Sequence, residues 1–189
     1  MPSDAAVVSA QSPAARRVLA VLIGAVLVAL AAQISVPLPG TPVPLTLQPL
    51  AVLIVGGLLG PELGAASLVT YLAMGAAGLP VFTPNPLLPQ GVARLLGPTG
   101  GYLLAYPIAA YAVGRLVGDG TRAVRIALAV FAGVVLIHVG GLAQLALLTG
   151  SVAQAARLGT LPFIMGDLLK VLIALLILKP TVSPLRARL

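Results

Sequence analysis

Cysteine is absent from this chain of 189 residues, and histidine occurs only once. Without cysteine there is no disulfide bond, no thiolate metal site and no cysteine nucleophile. Acidic residues number only four. Catalysis within a membrane needs a serine–histidine arrangement, a carboxylate pair or a metal cluster, and no such constellation is visible. These absences argue against an enzyme.

Charge of either sign is scarce. Charged residues make up 8% of the chain and hydrophobic residues 59%, and the mean hydropathy is +1.11. A soluble domain usually carries about a quarter of its residues as charges, so this chain would precipitate unless lipid covered it. At about 20 residues for each spanning helix, its length accommodates six helices. The sequence therefore predicts an all-α, polytopic membrane protein with six transmembrane helices.

Basic residues outnumber acidic residues by eleven to four. Nucleic-acid-binding proteins cluster such residues on a polar face that also bears aromatic side chains. Here they stand between apolar blocks, where the preference of cytoplasmic loops for lysine and arginine explains them better. We therefore expect no nucleic-acid partner.

The P-loop pattern of ATPases, Gly-x4-Gly-Lys-Ser/Thr, does not occur in the sequence. If the chain takes part in ATP-driven transport, another subunit must supply the ATPase. The chain itself is expected to hold no cofactor and no metal.

Proline and glycine clusters divide the apolar sequence into six segments. The predicted helices cover about residues 16–36, 45–59, 61–79, 98–117, 122–148 and 162–178. They form a membrane domain over residues 16–180, between a disordered cytoplasmic tail, 1–15, and a basic cytoplasmic tail, 181–189. The N-terminal pattern also resembles a signal peptide, but a retained first helix is favoured because the rest of the chain is equally apolar. The connection 80–97 is long enough to be a lid, a binding loop or a disordered segment.

Basic residues are distributed unevenly between the two sides that six crossings define. One side carries eight of them and the other side two, Arg94 and Arg157. The eight are Arg16, Arg17, Arg115, Arg122, Arg125, Lys179, Arg186 and Arg188. Because cytoplasmic loops are rich in lysine and arginine, we expect both termini on the cytoplasmic side of the cell membrane.

Two charged residues interrupt the last apolar segment. A charge at the centre of a bilayer costs roughly 3 kcal/mol on insertion scales, so Asp167 and Lys170 need compensation. Their i,i+3 spacing places them on one helix face, where they can pair. They are either an ion pair that locks two helices together or part of a substrate site that opens toward the exterior.

Several other residues have two interpretations. His138 lies in the middle of the fifth segment and predicts an interhelical hydrogen bond or, less readily, a proton relay. Gln33 and Gln48 flank a proline-rich turn and either satisfy its backbone or contact a ligand. Ala25 and Ala29 form a small-x3-small pair that permits close helix approach in lipid.

Five sequence clusters occur in an order and spacing that resemble a known family. They are Ala32-Gln33-Ile34-Ser35 with Val43-Pro44-Leu45-Thr46-Leu47-Gln48, Leu59-Gly60-Pro61, Leu79-Pro80-Val81-Phe82, Gly97-Pro98-Thr99-Gly100-Gly101-Tyr102, and Gly166-Asp167-x2-Lys170. Together they are similar to BioY, the biotin-binding S component of energy-coupling factor (ECF) transporters. The resemblance covers about residues 32–170, and the Gly-Pro-Thr-Gly-Gly-Tyr run and the late Gly-Asp-x2-Lys are its most specific parts.

The resemblance implies a six-helix fold that captures biotin outside the cell, a membrane coupling (T) subunit and two ATPase subunits that hydrolyse ATP. It assigns biotin contacts to Asp167 and Lys170 and to a loop asparagine, for which Asn85 or Gln90 is the candidate. Some members carry an arginine where this chain has Leu103, so Arg94 is the expected partner of the biotin carboxylate. Gln48 and Tyr102 complete the predicted substrate-binding set.

The need for an external source of energy suggests a further role for the first helix. We expect its small-residue face, Ala25 and Ala29, to be the interface with the coupling subunit. Alternatives are an S component for another vitamin and a biotin transporter that works alone. A purely structural membrane subunit would not explain Asp167 and Lys170.

Overall fold

The computed structural model describes residues 12–85 and 90–187. In chain order these residues form α1 (Pro13–Gln33), β1 (Ser35–Val36), β2 (Leu45–Thr46), α2 (Gln48–Ala76), α3 (Val92–Leu96), α4 (Gly100–Leu116), α5 (Ala123–Thr149), α6 (Val152–Gly159), a 3-10 turn (Leu161–Phe163) and α7 (Ile164–Arg186). The two short strands pair antiparallel, with Ser35 opposite Thr46 and Val36 opposite Leu45. They close the proline-rich turn between α1 and α2.

The long helix α2 consists of two arms that fold back on each other at Gly60. Gly60 has φ +82° and ψ 179°, a backbone conformation that is essentially restricted to glycine. Past this point a Cβ atom on Gly64 would lie 2.9 Å from the Cα of Gly56, so the arms 48–59 and 61–76 touch. The turn predicted at Gly60-Pro61 is confirmed, and two glycines that face each other let the arms pack at close range.

The bundle is built around α2 and α4, which share the largest helix contact, and α5 then packs against α4. Small residues make these approaches close. A Cβ on Gly114 would lie 2.5 Å from the backbone of Gly60, and one on Gly56 would lie 2.5 Å from the carbonyl oxygen of Ala110. Such contacts are typical of helices that associate within lipid, where van der Waals packing drives association.

The helix α1 lies at the edge of the bundle and packs mainly on α2. One of its faces is buried and contains Gly24, Ala25, Val28 and Ala32. The other face exposes large aliphatic side chains, including Leu22, Ile23, Val26 and Leu30. A broad exposed aliphatic face of this kind is stable only against lipid or another membrane protein.

One arginine, at the C-terminus of α7, binds the ends of neighbouring helices. Arg186 donates hydrogen bonds to the carbonyl oxygens of Gly118 at 2.8 Å, Gly57 at 2.6 Å and Gly114 at 3.0 Å. The C-terminus of α7, the end of the first arm of α2 and the end of α4 therefore share one end of the bundle. This is the end to which the sequence assigns most of the basic residues.

In the described part of the chain, four helical stretches are long and apolar enough to cross a membrane: Pro13–Gln33, Gln48–Ala76, Ala123–Thr149 and Val152–Arg186. The second of them contains the reversal at Gly60. The helix α4, with 17 residues, is shorter than these four stretches. The architecture is all-helical apart from the short β1–β2 pair, as predicted.

Several predicted boundaries are wrong. The first helix begins at Pro13 rather than near residue 16, because the Ser12 hydroxyl caps it by accepting from the Ala15 amide at 3.2 Å. The rest of the predicted N-terminal tail, residues 1–11, lies outside the described residues. The predicted loop 80–97 contains α3, and α6 was not predicted. The predicted C-terminal tail is helical up to Arg186, since α7 continues through Pro180 and Pro184 and buries Val182.

Candidate functional site

A cavity lies where three helix N-termini meet, those of α2, α4 and α7. Its described lining comprises Val43, Pro44, Thr46, Gln48, Pro49, Phe82, Thr83, Arg94, Thr99, Tyr102, Leu103, Tyr106, Val134, Ile137, His138, Phe163, Asp167 and Lys170. Helix N-termini carry partial positive charge. The lining itself is mostly apolar with a few convergent polar groups, and the helix N-termini add a positive field. A mostly apolar pocket with a few polar groups is the usual character of a small-molecule site.

Five of the six predicted substrate-binding residues line this cavity: Gln48, Arg94, Tyr102, Asp167 and Lys170. The sixth, Asn85, is half-buried and does not belong to the described lining. The alternative to it, Gln90, donates to the carbonyl oxygen of Phe82 at 3.4 Å and so braces the loop that reaches the cavity. The segment between them, residues 86–89, lies outside the described residues.

The charged pair in α7 is buried and hydrogen-bonded. Asp167 is 7% exposed and Lys170 is 6% exposed, and the Lys170 Nζ lies 2.9 Å from the Asp167 Oδ1. The second carboxylate oxygen, Oδ2, lies 2.6 Å from the His138 Nε2. The pairing that the i,i+3 spacing predicts is confirmed, and so is the interhelical hydrogen bond predicted for His138.

The His138 ring packs between two aromatic side chains. Tyr102 meets it edge-on, with ring centroids 6.0 Å apart at 82°, and Phe163 lies 6.4 Å away. The Tyr102 hydroxyl in turn donates to the carbonyl oxygen of Gly159 at 2.6 Å. Because this donor is already used, Tyr102 can offer a ligand its ring and an acceptor lone pair only.

Two glycines make room for Tyr102. A Cβ on Gly141 would lie 2.1 Å from the Tyr102 ring, and one on Gly159 would lie 2.2 Å from its hydroxyl oxygen. Tyr102 of α4 is therefore wedged between α5 and α6. Tyr102 therefore contacts Gly141 of α5 and Gly159 of α6 and also packs against His138.

Gln48 is held by hydrogen bonds on both sides of its amide. Its Nε2 donates to the Tyr71 hydroxyl, and its Oε1 accepts from Thr83 at 2.8 Å. Tyr71 donates onward to the carbonyl oxygen of Val81 at 3.3 Å. The Gln48 side chain thus bonds to other side chains and not to the backbone of the proline-rich turn, and this network ties the segment 81–83 to α2.

Arg94 belongs to the short helix α3 and is 2% exposed. The position of α3 is fixed by Gln144 of α5, which donates to the carbonyl oxygens of Leu95 at 3.0 Å and Gly97 at 2.7 Å. Burial lowers the pKa of Arg94 below its ordinary value, although a guanidinium stays charged in proteins. The loop therefore brings a second fixed cation to the cavity beside Lys170.

The predicted partner interface is only partly accessible. Ala25 is 0% exposed and packs inside the bundle. Ala29 is partly buried and packs against the core. The small residues of α1 are explained by close packing within the chain, against α2, where a Cβ on Gly24 would meet Ser67 at 2.5 Å.

Sequence reasoning did not place several lining residues in the site, among them His138, Thr46, Thr83 and Tyr106. His138 gave a signal, since a lone histidine in an apolar helix needs a partner. The others gave none, because threonine and tyrosine are ordinary residues at helix ends and in loops. In the described residues no group of three or more histidine, cysteine or acidic side chains is placed to hold a metal ion.

The fold and the cavity define a helical membrane protein with a buried, charged small-molecule site. The family model for the BioY family matches residues 4–187. The chain therefore belongs to the BioY family, as the sequence motifs indicated.

Individual relatives agree with this membership. The chain is 40% identical over 163 residues to the probable biotin transporter BioY of Pyrococcus horikoshii, covering 86% of this chain and 94% of that protein. It is 34% identical over 151 residues to the biotin transporter BioY of Thermotoga maritima, covering 80% and 86% of the two chains.

A solved structure has a similar fold. It is the crystal structure of the S-component for biotin from an ECF-type ABC transporter, which matches with a TM-score of 0.81 and 24% identity. The match covers 90% of this chain and 94% of that one. The expected helical membrane fold is confirmed, and the chain is a membrane protein of a transporter family.

Proposed function

We propose that this protein captures biotin and takes part in its uptake across the cell membrane as the S component of an ECF-type transporter. The observation that carries the proposal is the charge balance of the cavity. Arg94 and Lys170 bring two positive charges and Asp167 brings one negative charge, so the described part of the lining carries one excess positive charge. A ligand with one carboxylate and an otherwise neutral, polar ring fits this balance, and biotin has both features.

The ureido ring of biotin has two N–H donors and one carbonyl acceptor. We assign Asp167 to accept from a ring N–H and Lys170 to donate to the ring carbonyl or another acceptor. The expected distances are those of charge-assisted hydrogen bonds, which are stronger than neutral ones. Analogues that leave these buried groups unpaired should be rejected strongly.

The carboxylate of biotin is assigned to Arg94. A planar guanidinium binds a carboxylate through two parallel hydrogen bonds, and Arg94 lines the cavity. The apolar side chains of the lining, Val43, Phe82, Ile137 and Phe163 among them, suit the ring sulfur and the aliphatic chain. Asn85 or Gln90 is proposed as the amide that reaches the ligand from the loop.

The membrane arrangement is proposed to consist of six crossings with both termini cytoplasmic. The six helices are α1, the two arms of α2, α4, α5 and α7. The proximity of Arg186 to Gly57 and Gly118 supports a common side for the segments around residues 60 and 118 and the C-terminus. The cavity then faces the exterior, where biotin is captured.

Energy for uptake is proposed to come from a membrane coupling (T) subunit and two ATPase subunits, which bind and hydrolyse ATP. The absence of a P-loop from the sequence supports an external ATPase. No cofactor is assigned to this chain, and biotin is its substrate. The proposal has two alternatives: an S component for another vitamin, and a biotin transporter that works alone. Binding and uptake measurements separate them.

We propose that the coupling subunit binds the exposed face of α1 that neighbours its small-residue face. There a groove is lined by Leu19, Ile23, Leu27, Leu58, Leu59 and Leu185, with Arg16 at its edge. Filling it by Ile23→Trp should abolish ATP-driven uptake and leave biotin binding unchanged. Leu128→Trp, on the exposed face of α5, should leave both uptake and biotin binding unchanged. Uptake at the parental rate in Ile23→Trp would place the interface elsewhere.

The test of biotin binding is calorimetric titration of the purified, folded protein. Asp167→Asn keeps the shape of the side chain and exchanges an acceptor oxygen for a donor nitrogen, and Lys170→Ala leaves Asp167 without its cation. Truncating one partner of a buried charge pair costs roughly 2–5 kcal/mol, so both variants should bind at least about thirtyfold more weakly. Glu62→Gln removes an exposed carboxylate from α2 and is the matched control, with no expected change.

Parental affinity in both Asp167→Asn and Lys170→Ala would reduce the pair to a helix lock. A parent protein that binds a different vitamin and not biotin would favour the other S-component alternative. Biotin uptake in vesicles that contain this chain alone would favour the solitary transporter.

A further inference from the structure

The two oxygens of the Asp167 carboxylate are held by different helices. Oδ1 accepts from Lys170 at 2.9 Å, and Lys170 lies one turn further along the same helix. Oδ2 lies 2.6 Å from the Nε2 of His138, which belongs to α5. Among the hydrogen bonds of the described residues, the contact with His138 ties the carboxylate to a second helix.

The ring of His138 is fixed independently of this bond. Tyr102 of α4 packs edge-on against it at 6.0 Å, and Phe163 of the 3-10 turn lies 6.4 Å from it. An ionised carboxylate only accepts hydrogen bonds, so the Nε2 of His138 must carry the proton. A ring held by two aromatic contacts therefore presents a donor of fixed position and direction to Asp167.

Each carboxylate oxygen has two lone-pair sites. His138 and Lys170 together occupy one site on each oxygen, which leaves one site on each for a ligand. Lys170 alone does not fix the plane of the carboxylate, because its long side chain follows rotation of the carboxylate about its own bond. The direction in which the remaining acceptor sites point is set by His138.

We propose that His138 is a positioning residue for the substrate. It holds the Asp167 carboxylate in the one orientation that accepts a ring N–H, and so determines how well the protein distinguishes ligands that have this N–H from ligands that lack it. The inference rests on the biotin binding proposed above and deepens it. The role needs the Nε2 donor of His138, whereas a packing role needs only its ring.

Two substitutions separate the donor from the ring. His138→Phe keeps an aromatic ring between Tyr102 and Phe163 but has no donor. His138→Gln lacks the ring and restores an N–H donor at similar reach. Arg125→Gln is the matched control, because it removes another bond from α5 to a neighbouring helix, Arg125 Nε to the Leu116 carbonyl oxygen at 2.7 Å, at the far end of the bundle.

The measurement is the dissociation constant of each purified variant for biotin and for biotin methylated at either ring nitrogen. In the parent, one methylated form should bind much more weakly than biotin. In His138→Phe, biotin should bind about tenfold more weakly, as for a lost hydrogen bond to a charged group, and the ratio between biotin and that methylated form should fall at least about fivefold. His138→Gln should keep the parental ratio, and Arg125→Gln should lower thermal stability without changing the ratio.

A parental ratio in folded His138→Phe would overturn the proposal, and so would a collapsed ratio in His138→Gln. A parent protein that does not bind biotin would overturn the proposed function itself, and titration of the parent alone reveals this. The bond can also be observed without any ligand. His138 is the single histidine of the sequence, so protein without an added histidine tag gives one pair of imidazole ¹⁵N resonances, which should report a protonated Nε2 and shift in Asp167→Asn. Resonances unchanged by Asp167→Asn would contradict the bond and the proposal with it.

Discussion

At the scale of single residues, the protein places its costly side chains where they compensate one another. A charged residue within a bilayer is expensive unless it is paired or faces a polar cavity. Asp167 meets both conditions, with Lys170 on one oxygen and His138 on the other. The three side chains form one hydrogen-bonded network centred on the Asp167 carboxylate. Such networks are sensitive to the loss of any one member.

Small residues matter at this scale as much as charged ones. Gly141→Ala would place a Cβ atom 2.1 Å from the Tyr102 ring, so the ring must move and strain its contact with His138 and its bond to Gly159. Overpacking a core of this kind costs about 1–3 kcal/mol. We expect a lower midpoint for the heat-induced loss of helical circular dichroism, together with weaker biotin binding.

Gly166→Ala is the control for that substitution. Its Cβ would meet only Leu45, at 3.4 Å, an ordinary contact, so the thermal midpoint should stay near that of the parent. Equal destabilisation by the two substitutions would mean that the collision with Tyr102 is not the cause.

At the scale of elements, the bundle is closed at both ends by side chains that bind backbone. Near the cavity, Gln144 of α5 binds the carbonyl groups that end α3. At the opposite end, Arg186 of α7 binds three carbonyl groups of α2, α4 and the turn after α4. Helix C-termini leave four carbonyl groups without partners, and a basic side chain there also complements the helix dipole.

Arg186→Gln should destabilise the bundle without touching the cavity. Hydrogen bonds to charged groups contribute about 1.5–3 kcal/mol each, and a neutral amide on a shorter side chain cannot reach all three carbonyl oxygens. The thermal midpoint should fall by several degrees, since about 1 kcal/mol corresponds to roughly 2–4 °C at this chain length. Biotin affinity at low temperature should remain parental.

Lys179→Gln provides the comparison for Arg186→Gln, because Lys179 is an exposed basic residue of the same helix. It should change the midpoint little, as is usual for surface charges. If both substitutions lower the midpoint equally, the loss of positive charge explains the effect and the three hydrogen bonds do not.

At the scale of the whole molecule, the two ends of the bundle differ in what they carry. One end has the cavity, the loop with Arg94 and the helix α6. The other end has Arg186, the turn around Asp119 and the reversal at Gly60. The proposed orientation, with the cavity outside, follows from the excess of lysine and arginine at the second end.

The absence of cysteine allows this orientation to be measured directly, because each introduced cysteine is the only thiol. Arg157 of α6 and Asp119 are both exposed and lie toward opposite ends of the bundle. A membrane-impermeant maleimide should label Arg157→Cys in intact cells and Asp119→Cys only after the membrane is opened. The reverse pattern would invert the topology and place the cavity on the cytoplasmic side.

The sequence by itself determined that the chain is a membrane protein, that it is helical, and that Asp167 pairs with Lys170. These follow from composition and from spacing along one helix, where i,i+3 geometry is the same in every protein. The tertiary structure alone decided that His138 completes the pair. It also decided that Ala25 points inward and that α7 continues to Arg186. Contacts between helices depend on how each helix is rotated and shifted against its neighbours, and that is set by the packing of many small residues together, which no local pattern in the sequence encodes.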